Sequence, residues 1–589
     1  MYLKHYKTKS GRIYMSIAHG YRDPVTKKTR HKTIQKIGYV DEFLDQYEDP
    51  IAHFKQVAAR MEKERLEEQG NRVETITVPM GQKITVGTDE LKHLGHLPLS
   101  AIYHSLGMEP FLVSRQRRFD IQFSLNDLLQ LLVYTRILAP GSKRANSFEK
   151  ARFPRPFNCE LHDIYRGLDY LRTLKEDLLV HVHQQVTAQY GRKTDRVFYD
   201  VTNYQFEIDV EDDLRKKGAC KRNSRKPLVQ MGLLLDQDAI PITYRLFPGN
   251  THDSQTLMPL IQDTRKHYGL GRIVTVADKA MNSGDNVAFL MVKGDGFIFS
   301  QKVRGADSAL QSFVLDPDGY RRVDGVVKQA GKGGEDAPIF LMKSRPYPHD
   351  FWVTHADDVK RKIPIDVKQI ACYNEAYAKR QRHKREEAIQ KARRIIESPS
   401  RYNKSEVSGA LRYVSNINYD PKTGEVMETK RLPFLNEAQI EEDAQYDGYY
   451  CIVTSEYTLP DYEVVGAYHD LWEIERSFRI TKDTLETQPV NLTLEQRIDA
   501  HFMTCFYALL ILRLLSKATA QAYAPEQLVQ SLKRFQMGPV DANLFRSFYY
   551  DEVIETMGQA LGISLDSLYY TKGELRKLNA ATKRFKPRA

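Results

Sequence analysis

"RVFYDVTNYQFE", Arg196–Glu207, decides how this chain is read. Its aromatic and β-branched residues predict a strand, and Asp200 lies inside that apolar run. An ionised carboxylate there costs several kcal/mol unless cations meet it or the strand edge opens onto a ligand. Two further strand-like runs follow, "LVQMGLLLDQD" (228–238) and "PITYRLFPGN" (241–250), and then a helical pattern, "SQTLMPLIQDTRKHYG" (254–269). "RIVTVAD" (272–278), "NSGDNVAFLMVKG" (282–294) and "GFIFSQKVR" (296–304) continue as strand, helix and strand. Antiparallel-looking strands passing into alternating helix and strand predict an α/β domain on a mixed sheet. Asp278 closes "RIVTVAD", and α/β sheets place their ligands at such carboxyl strand ends. Capping of the next helix is the competing reading for that residue.

Outward from this centre the pattern changes on both sides. Residues 11–40 alternate apolar and polar positions about an "RDP" turn, predicting a basic β-hairpin, and residues 41–69 predict a charged helix interrupted by Pro50. Residues 96–190 are mostly helical in pattern. Downstream, 305–447 loses regularity: a Gly-rich stretch, "KQAGKGGEDAP", short strand-like pieces, "PIFLMKS" and "DFWVTH", and a charged helix, "KRQRHKREEAIQKARRIIE". Regularity returns over 448–520 with the strand "YYCIVTSE", a helix at 462–486 and a long apolar helix; 521–589 reads as polar and helical with a basic tail. The expected domains are therefore 1–95, 96–190, a core split between 191–304 and 448–520, an insertion at 305–447, and 521–589.

The charge narrows the partners. The 589-residue chain carries a net charge of +11, and residues 1–36 hold ten Lys/Arg against Asp23 alone. A polyanion is the natural partner. "FMTCFYALLILRLL" has 14 residues and contains Arg513, too short and too charged to span a bilayer, which leaves nucleic acid rather than membrane. Five scattered cysteines without a C-x-x-C pair exclude a disulfide framework or zinc knuckle and suit a reducing cytoplasm.

On an ideal helix, residues 462–486 separate into two faces. Ala467, Leu471, Ile474, Phe478 and Leu485 form the packing stripe; Tyr468, Trp472, Glu475, Arg479 and Lys482 lie about a quarter turn away. The plain reading of the second face is a solvated surface with a Glu475/Arg479 i,i+4 pair. Trp472, one of two tryptophans, argues for more. Asp200, Asp278 and Glu475 could together hold two Mg²⁺ ions about 3.5–4 Å apart, the arrangement that drives in-line phosphodiester displacement. Lys482 and Arg479 would then meet phosphates, and Trp472 would stack on an unpaired base.

At this point the chain resembles the DDE transposases of bacterial insertion sequences, in the insertion-sequence-four superfamily. Their Tyr-x2-Arg-x3-Glu-x6-Lys signature matches here at Tyr468, Glu475 and Lys482, with Leu471 in place of the arginine. "YDVT" with Asp200 and "VADKAMNS" with Asp278 look like the family's two aspartate motifs, and the segment from Met231 to Leu257 looks like the stretch between them. The resemblance implies a ribonuclease-H-like core, a mixed five-stranded sheet with helices interrupted by a β-rich insertion. It also implies cut-and-paste transposition: Mg²⁺-dependent cleavage at terminal inverted repeats, with Mn²⁺ as a substitute, hairpin intermediates, and 3′-OH strand transfer into target DNA. Asp200, Asp278 and Glu475 become the catalytic, metal-holding residues, and Tyr468, Trp472, Arg479 and Lys482 the DNA contacts, with Arg479 replacing the missing arginine and Trp472 holding a flipped base. Trp352 reads first as an insertion-core residue and second as a base-stacking one. The partners are double-stranded DNA and a second copy of the chain, acting at the bacterial nucleoid. A catalytically inactive DNA-binding descendant and another ribonuclease-H-like nuclease are the alternatives.

Overall fold

The fold is that of a computed structural model, which describes residues 1–8, 10–22, 29–70, 81, 83, 85–218, 226–323, 339–397, 409–416, 418–419, 426–427 and 433–587. The chain divides into two compact units, Met1–Thr88 and Asp89–Ala589.

The first unit is a three-stranded antiparallel sheet with one helix. Strand β1 (Tyr2–Lys7) and strand β3 (Thr29–Tyr39) flank β2 (Ile13–Arg22). The hairpin expected over 11–40 is β2–β3, gaining β1 as a third strand; its turn, 23–28, lies outside the described residues. Met15, Ile17 and Ala18 on the central strand are buried, while Tyr2 and Tyr6 are exposed. Helix α1 begins at Pro50 and runs to Gly70. Pro50 starts this helix rather than interrupting one, because the first turn has no use for the missing N–H.

The second unit is built on a mixed α/β sheet. Its strands are β4 (Arg196–Gln205), β5 (Leu228–Leu235), β6 (Pro241–Pro248), β7 (Val274–Ala277), β8 (Gly296–Gln301), β9 (Phe340–Thr354), β10 (Lys360–Asn374) and β11 (Tyr449–Thr454). With the two-residue strand Arg321–Arg322 outermost, the order is Arg321–Arg322, β9, β10, β11, β8, β7, β4, β5, β6, nine strands among the described residues. β4, β7 and β8 are parallel to one another and every other pairing is antiparallel.

This corrects the expected five-stranded sheet. "PIFLMKS" and "DFWVTH" are two ends of one 15-residue strand, β9, in register with all 15 residues of β10. Pro346 and Pro348 hid it, since proline ordinarily argues against a sheet interior. β9 pairs outward only at Leu341 and Met342, so beyond them it is an edge strand, where a missing N–H breaks no ladder. The insertion thus joins the core sheet through β10 and β11.

Helices cover the sheet: α2 (His96–Ser105), α3 (Met108–Gln116), α4 (Leu125–Leu138), α5 (Lys143–Glu149), α6 (Leu161–Thr173), α7 (Lys175–Tyr190), α8 (Leu257–Tyr268), α9 (Gly284–Val292), α10 (Ser308–Leu315), α11 (Glu375–Glu397), α12 (Glu437–Ala444), α13 (Asp461–His469), α14 (Trp472–Arg479) and α15 (Glu495–Ala518). α15 contains the apolar run and is buried from Ile498 to Ser516. It passes against α2, α4, α6 and β6 and is the core helix its composition suggested. Asp499 near its start accepts from Lys175 (2.9 Å) and Tyr244 (2.8 Å) and pairs with Arg172 (2.6 Å), so one buried carboxylate ties α6, α7, β6 and α15 together. The C-terminal region holds α16 (Pro525–Arg534), α17 (Glu552–Leu561) and α18 (Lys572–Thr582). It is not wholly helical: Gln536–Pro539, Leu544–Ser547 and Tyr569–Thr571 form a small sheet with Lys92–His93. The four described cysteines are free and buried, and Cys220 lies outside the described residues.

Candidate catalytic and DNA site

The parallel pairing of β4 and β7 assembles the site. Tyr199 is the register partner of Ala277, so Asp200 and Asp278, the next residues, stand side by side where β7 ends and β4 runs on to Gln205, on adjacent strands whose usual spacing is about 4.8 Å. The Asp278 carboxylate accepts from Lys279 N at 2.6 Å, so the helix-capping reading describes its local geometry even though it lies beside Asp200.

The third element departs from the ideal wheel. Residues 462–486 are not one helix: α13 ends at His469, α14 starts at Trp472, and a π-helical turn occupies Ile480–Thr484. Hydrogen bonds from Leu471, Glu473 and Ile474 to the carbonyls three residues before them (3.1, 3.0 and 3.1 Å) make the joint. The packing stripe survives this break, with Ala467, Ile474, Phe478 and Leu485 buried and Leu471 half-buried against the core.

The second face does not stay together. Trp472, Glu475 and Arg479 are exposed, whereas Tyr468 and Lys482 are drawn inward. The π turn adds a residue to its coil and swings Lys482 toward the sheet. Lys482 Nζ donates to Thr202 Oγ1 at 2.6 Å and lies 5.1 Å from the centre of the Tyr204 ring. Tyr204 OH meets Thr481 Oγ1 at 2.7 Å. Asp200, Thr202 and Tyr204 share one face of β4, since side chains alternate along a strand. Lys482 therefore stands on the Asp200 side of β4.

Tyr468 links the helical segment to the other aspartate. Burial pushes its hydroxyl up to about 12; a hydrogen bond with Ser300 opposes this, while Asp278 and Glu475 add to it. The Glu475/Arg479 pair of the plain reading does not form. Instead Glu473 binds Arg513 (2.8 Å) and Arg476 binds Glu526 (3.1 Å), fixing α14 from its back. Glu475 and Arg479 make no side-chain hydrogen bond or ion pair among the described residues. Among those residues no three His, Cys, Asp or Glu side chains converge closely enough to grip an ion.

Strand β9 of the β9–β10 ribbon lies on the start of α9. A Cβ on Gly284, at the start of α9, would lie 2.1 Å from the Trp352 carbonyl oxygen, so that glycine permits the strand to lie on the helix. Asp285 accepts from Thr354 N at 2.6 Å and Thr354 Oγ1 at 3.1 Å. Trp352 is 56% exposed, which overturns its reading as an insertion-core residue, and Lys362 lies 5.5 Å from its ring centre. It borders a cleft of about 350 Å³ with Lys279, Asn282, Lys302 and His349. Trp472 is 50% exposed, with the Arg476 guanidinium 5.7 Å from its ring centre.

Sequence reasoning missed Thr202 and the Glu473–Arg513 tie; Asp285 reads from the sequence as a cap or loop-ordering group, and it ties the start of α9 to Thr354. Thr202 alone carried a signal, two residues beyond Asp200 in a strand of period two. The other acids settle as structural groups. Asp236 accepts from Asp238 N (3.0 Å) and Ile240 N (2.9 Å) in its turn, Asp238 binds Lys517, and Asp253 accepts from Gln230 at 3.2 Å.

Comparison with known proteins agrees in kind. No curated protein sequence matches the chain. Among solved structures it is similar to the piggyBac transposase synaptic complex with hairpin DNA at 8% identity and a TM-score of 0.34, covering 76% of this chain and 82% of that one. The Mos1 transposase paired-end complex with left transposon end matches at 12% identity and a TM-score of 0.14, covering 41% of this chain and 66% of that one. Both likenesses are too weak to build on. Residues 3–72 match the N-terminal domain of IS1634 family transposases, and residues 191–511, more than half the chain, match the transposase DDE domain. The stretch from Asp200 through Asp278 to Glu475 lies inside that match, and the chain belongs to the DDE transposases of insertion sequences.

Proposed function

We propose that this transposase cuts DNA at the terminal inverted repeats of its element and joins the freed 3′-OH to target DNA, through a ribonuclease-H-like core with Asp200, Asp278 and Glu475 as the working carboxylates. The observation that carries this reading is the register pairing that sets Asp200 beside Asp278, with Lys482 bonded to Thr202 on the same strand. The strand order β6–β5–β4–β7–β8, with β5 reversed against β4 and β6, supports the core assignment.

The donor set fits a hard divalent ion, Mg²⁺ or Mn²⁺: carboxylate oxygens from two adjacent strands and a helix, with no thiol or imidazole among them. Asp200 and Asp278 would hold it, and Glu475, exposed and without a partner among the described residues, would complete the set. Such an ion supplies activation of the attacking oxygen and neutralisation of the leaving one. The chain's own side chains position the strand. Lys482 directs its ammonium at the phosphate beside Asp200, Tyr468 packs behind the scissile position, and Arg479 contacts the backbone in place of the arginine that Leu471 lacks. Trp472 stacks on a displaced base if cleavage runs through a hairpin, with Trp352 across the ribbon cleft as the second candidate.

The first unit grips the transposon end with its basic sheet, and two chains hold two ends in one complex on nucleoid DNA in the cytoplasm. The test incubates purified protein with duplexes carrying the inverted repeats of the flanking DNA. Cleavage that needs Mg²⁺ and is abolished in Asp278→Asn and Glu475→Gln, with binding intact, is expected. Metal-independent cleavage, or equal cleavage by Asp278→Asn, overturns the reading.

A further inference from the structure

The charged helix α11 has no part in the site just described, and its run of cations reads as either a salt-laced surface or a DNA contact. Its ion pairs decide between the two. Lys379 binds Glu375, His383 sits by Glu387, and Arg385 binds Asp447. Arg380, Lys384 and Lys391 are exposed and make no ion pair among the described residues. At 100° per residue these three fall on one edge of the helix, and they span a rise of about 16 Å, close to five base-pair steps measured along the axis of a duplex.

Beside that edge runs a groove of about 250 Å³, lined by Arg304, Lys384, Arg385, Arg412 and Tyr413 among others. Two buried acids lie under it. Asp443 takes Arg412 and the Tyr413 hydroxyl, each at 2.7 Å, and sits 3.6 Å from Arg304; Asp447 takes Arg385. Four cations against two carboxylates leave the groove two positive charges in excess. The acids hold three of the cations in fixed positions, and Lys384 stays unpaired among the described residues.

The topology aims this helix. α11 leaves the end of β10 that pairs with the start of β11, and that start pairs with the end of β8, so α11 begins at the end of the sheet that carries Asp278. In its first turn Tyr377 packs edge-on against Tyr450, 6.3 Å between ring centres, and Tyr377 lies near enough to Tyr468 to perturb it alongside Asp278 and Glu475.

We propose that the Arg380–Lys384–Lys391 edge of α11 and its groove form a second DNA track, which holds the phosphate backbone of duplex DNA of any sequence as it runs from the catalytic end of the sheet. The proposal rests on the reading of this chain as a DNA-cleaving transposase. Sequence independence follows from the groups on offer: this edge presents cations, Arg394 among them, around one carboxylate, Glu387, which sits by His383, and the oxygen of the neighbouring amide Gln381 already accepts from Gly448 N at 2.7 Å. The occupant is flanking or target DNA rather than the transposon end.

The experiment measures binding of the full chain to a random-sequence duplex from 50 to 200 mM salt. Losing three phosphate contacts lowers the slope of log affinity against log salt by about 2.7. The triple variant Arg380→Gln/Lys384→Gln/Lys391→Gln should therefore lose about 40-fold less affinity than the parent over that fourfold rise. Arg382→Gln/Arg393→Gln, on the opposite edge, should keep the parental slope, and circular dichroism should show both variants folded. An unchanged slope in the triple variant, an equal fall in the opposite-edge control, or a loss confined to duplexes bearing the inverted repeats overturns the track. Asp278→Asn separates the two readings: it should bind random duplex with the parental slope while failing to cleave, and cleavage by Asp278→Asn would sink the catalytic assignment without touching the track.

Discussion

Arg513 gives the sharpest test of how α14 is held. Its side chain, 8% exposed, reaches back from α15 to Glu473 Oε2 (2.8 Å), Glu473 O (3.0 Å) and Ser477 Oγ (2.7 Å). Arg513→Met deletes all three bonds and leaves the Glu473 carboxylate without its cation. Removing one partner of a fully buried pair costs about 3–5 kcal/mol. Glu473 keeps 22% exposure, which places the cost near the lower end, about 3 kcal/mol. That corresponds to about 150-fold more frequent opening of α14. Hydrogen exchange of the amides at 472–479 reads it directly, and cleavage of an end duplex should fall with it because Glu475 rides on this helix. Arg513→Met/Glu473→Met replaces the pair by apolar groups and should bring exchange back to within about tenfold of the parent. A single variant exchanging within fivefold of the parent, or a double variant as fast as the single, would refute the tie.

Three further outcomes are expected. Lys482→Met loses the bond to Thr202, and turnover on an end duplex should drop about 100-fold with little change in affinity; a loss of affinity alone would make Lys482 a simple anchor. Gly284→Ala drives a Cβ to 2.1 Å from the Trp352 carbonyl, so in a Trp472→Phe background the remaining tryptophan emission should shift; unchanged emission would mean that the ribbon does not rest on α9. Burial pushes the Lys143 ammonium from 10.5 down to about 7, with Arg136 adding to the effect. The folded chain therefore gives up this proton before the unfolded one. Stability carries no penalty above 10.5, falls as pH drops below that value, and bears the full penalty below about 7. The urea midpoint should rise from pH 7 to 10, and Lys143→Met should remove this component of the rise.

The strands that carry Asp200 and lead to Asp278 were legible because each is apolar and bounded by turn signals, and because the two aspartates stand out against such surroundings. What stayed hidden depends on neighbours. Pro346 and Pro348 look like breaks until β9 is seen to be an edge there. The joint at Asp470–Leu471 and the π turn at Ile480–Thr484 leave a helical periodicity intact, so a wheel could not show that Lys482 turns inward while Arg479 stays out. The backing pairs Glu473–Arg513 and Arg476–Glu526 span 40 and 50 positions, and no local pattern reports contacts at that range.

The continuity of the sheet across the insertion limits how this enzyme can be trimmed. A deletion of 305–447 designed as the removal of an appendage would strip β10 from β11 and leave Tyr449–Thr454 with a row of open N–H and C=O groups. Such a naked rim pairs readily with another molecule. A minimal version of this transposase therefore needs a replacement strand or a charged, twisted cap along β11, and a truncation made without one should precipitate before its chemistry can be assayed.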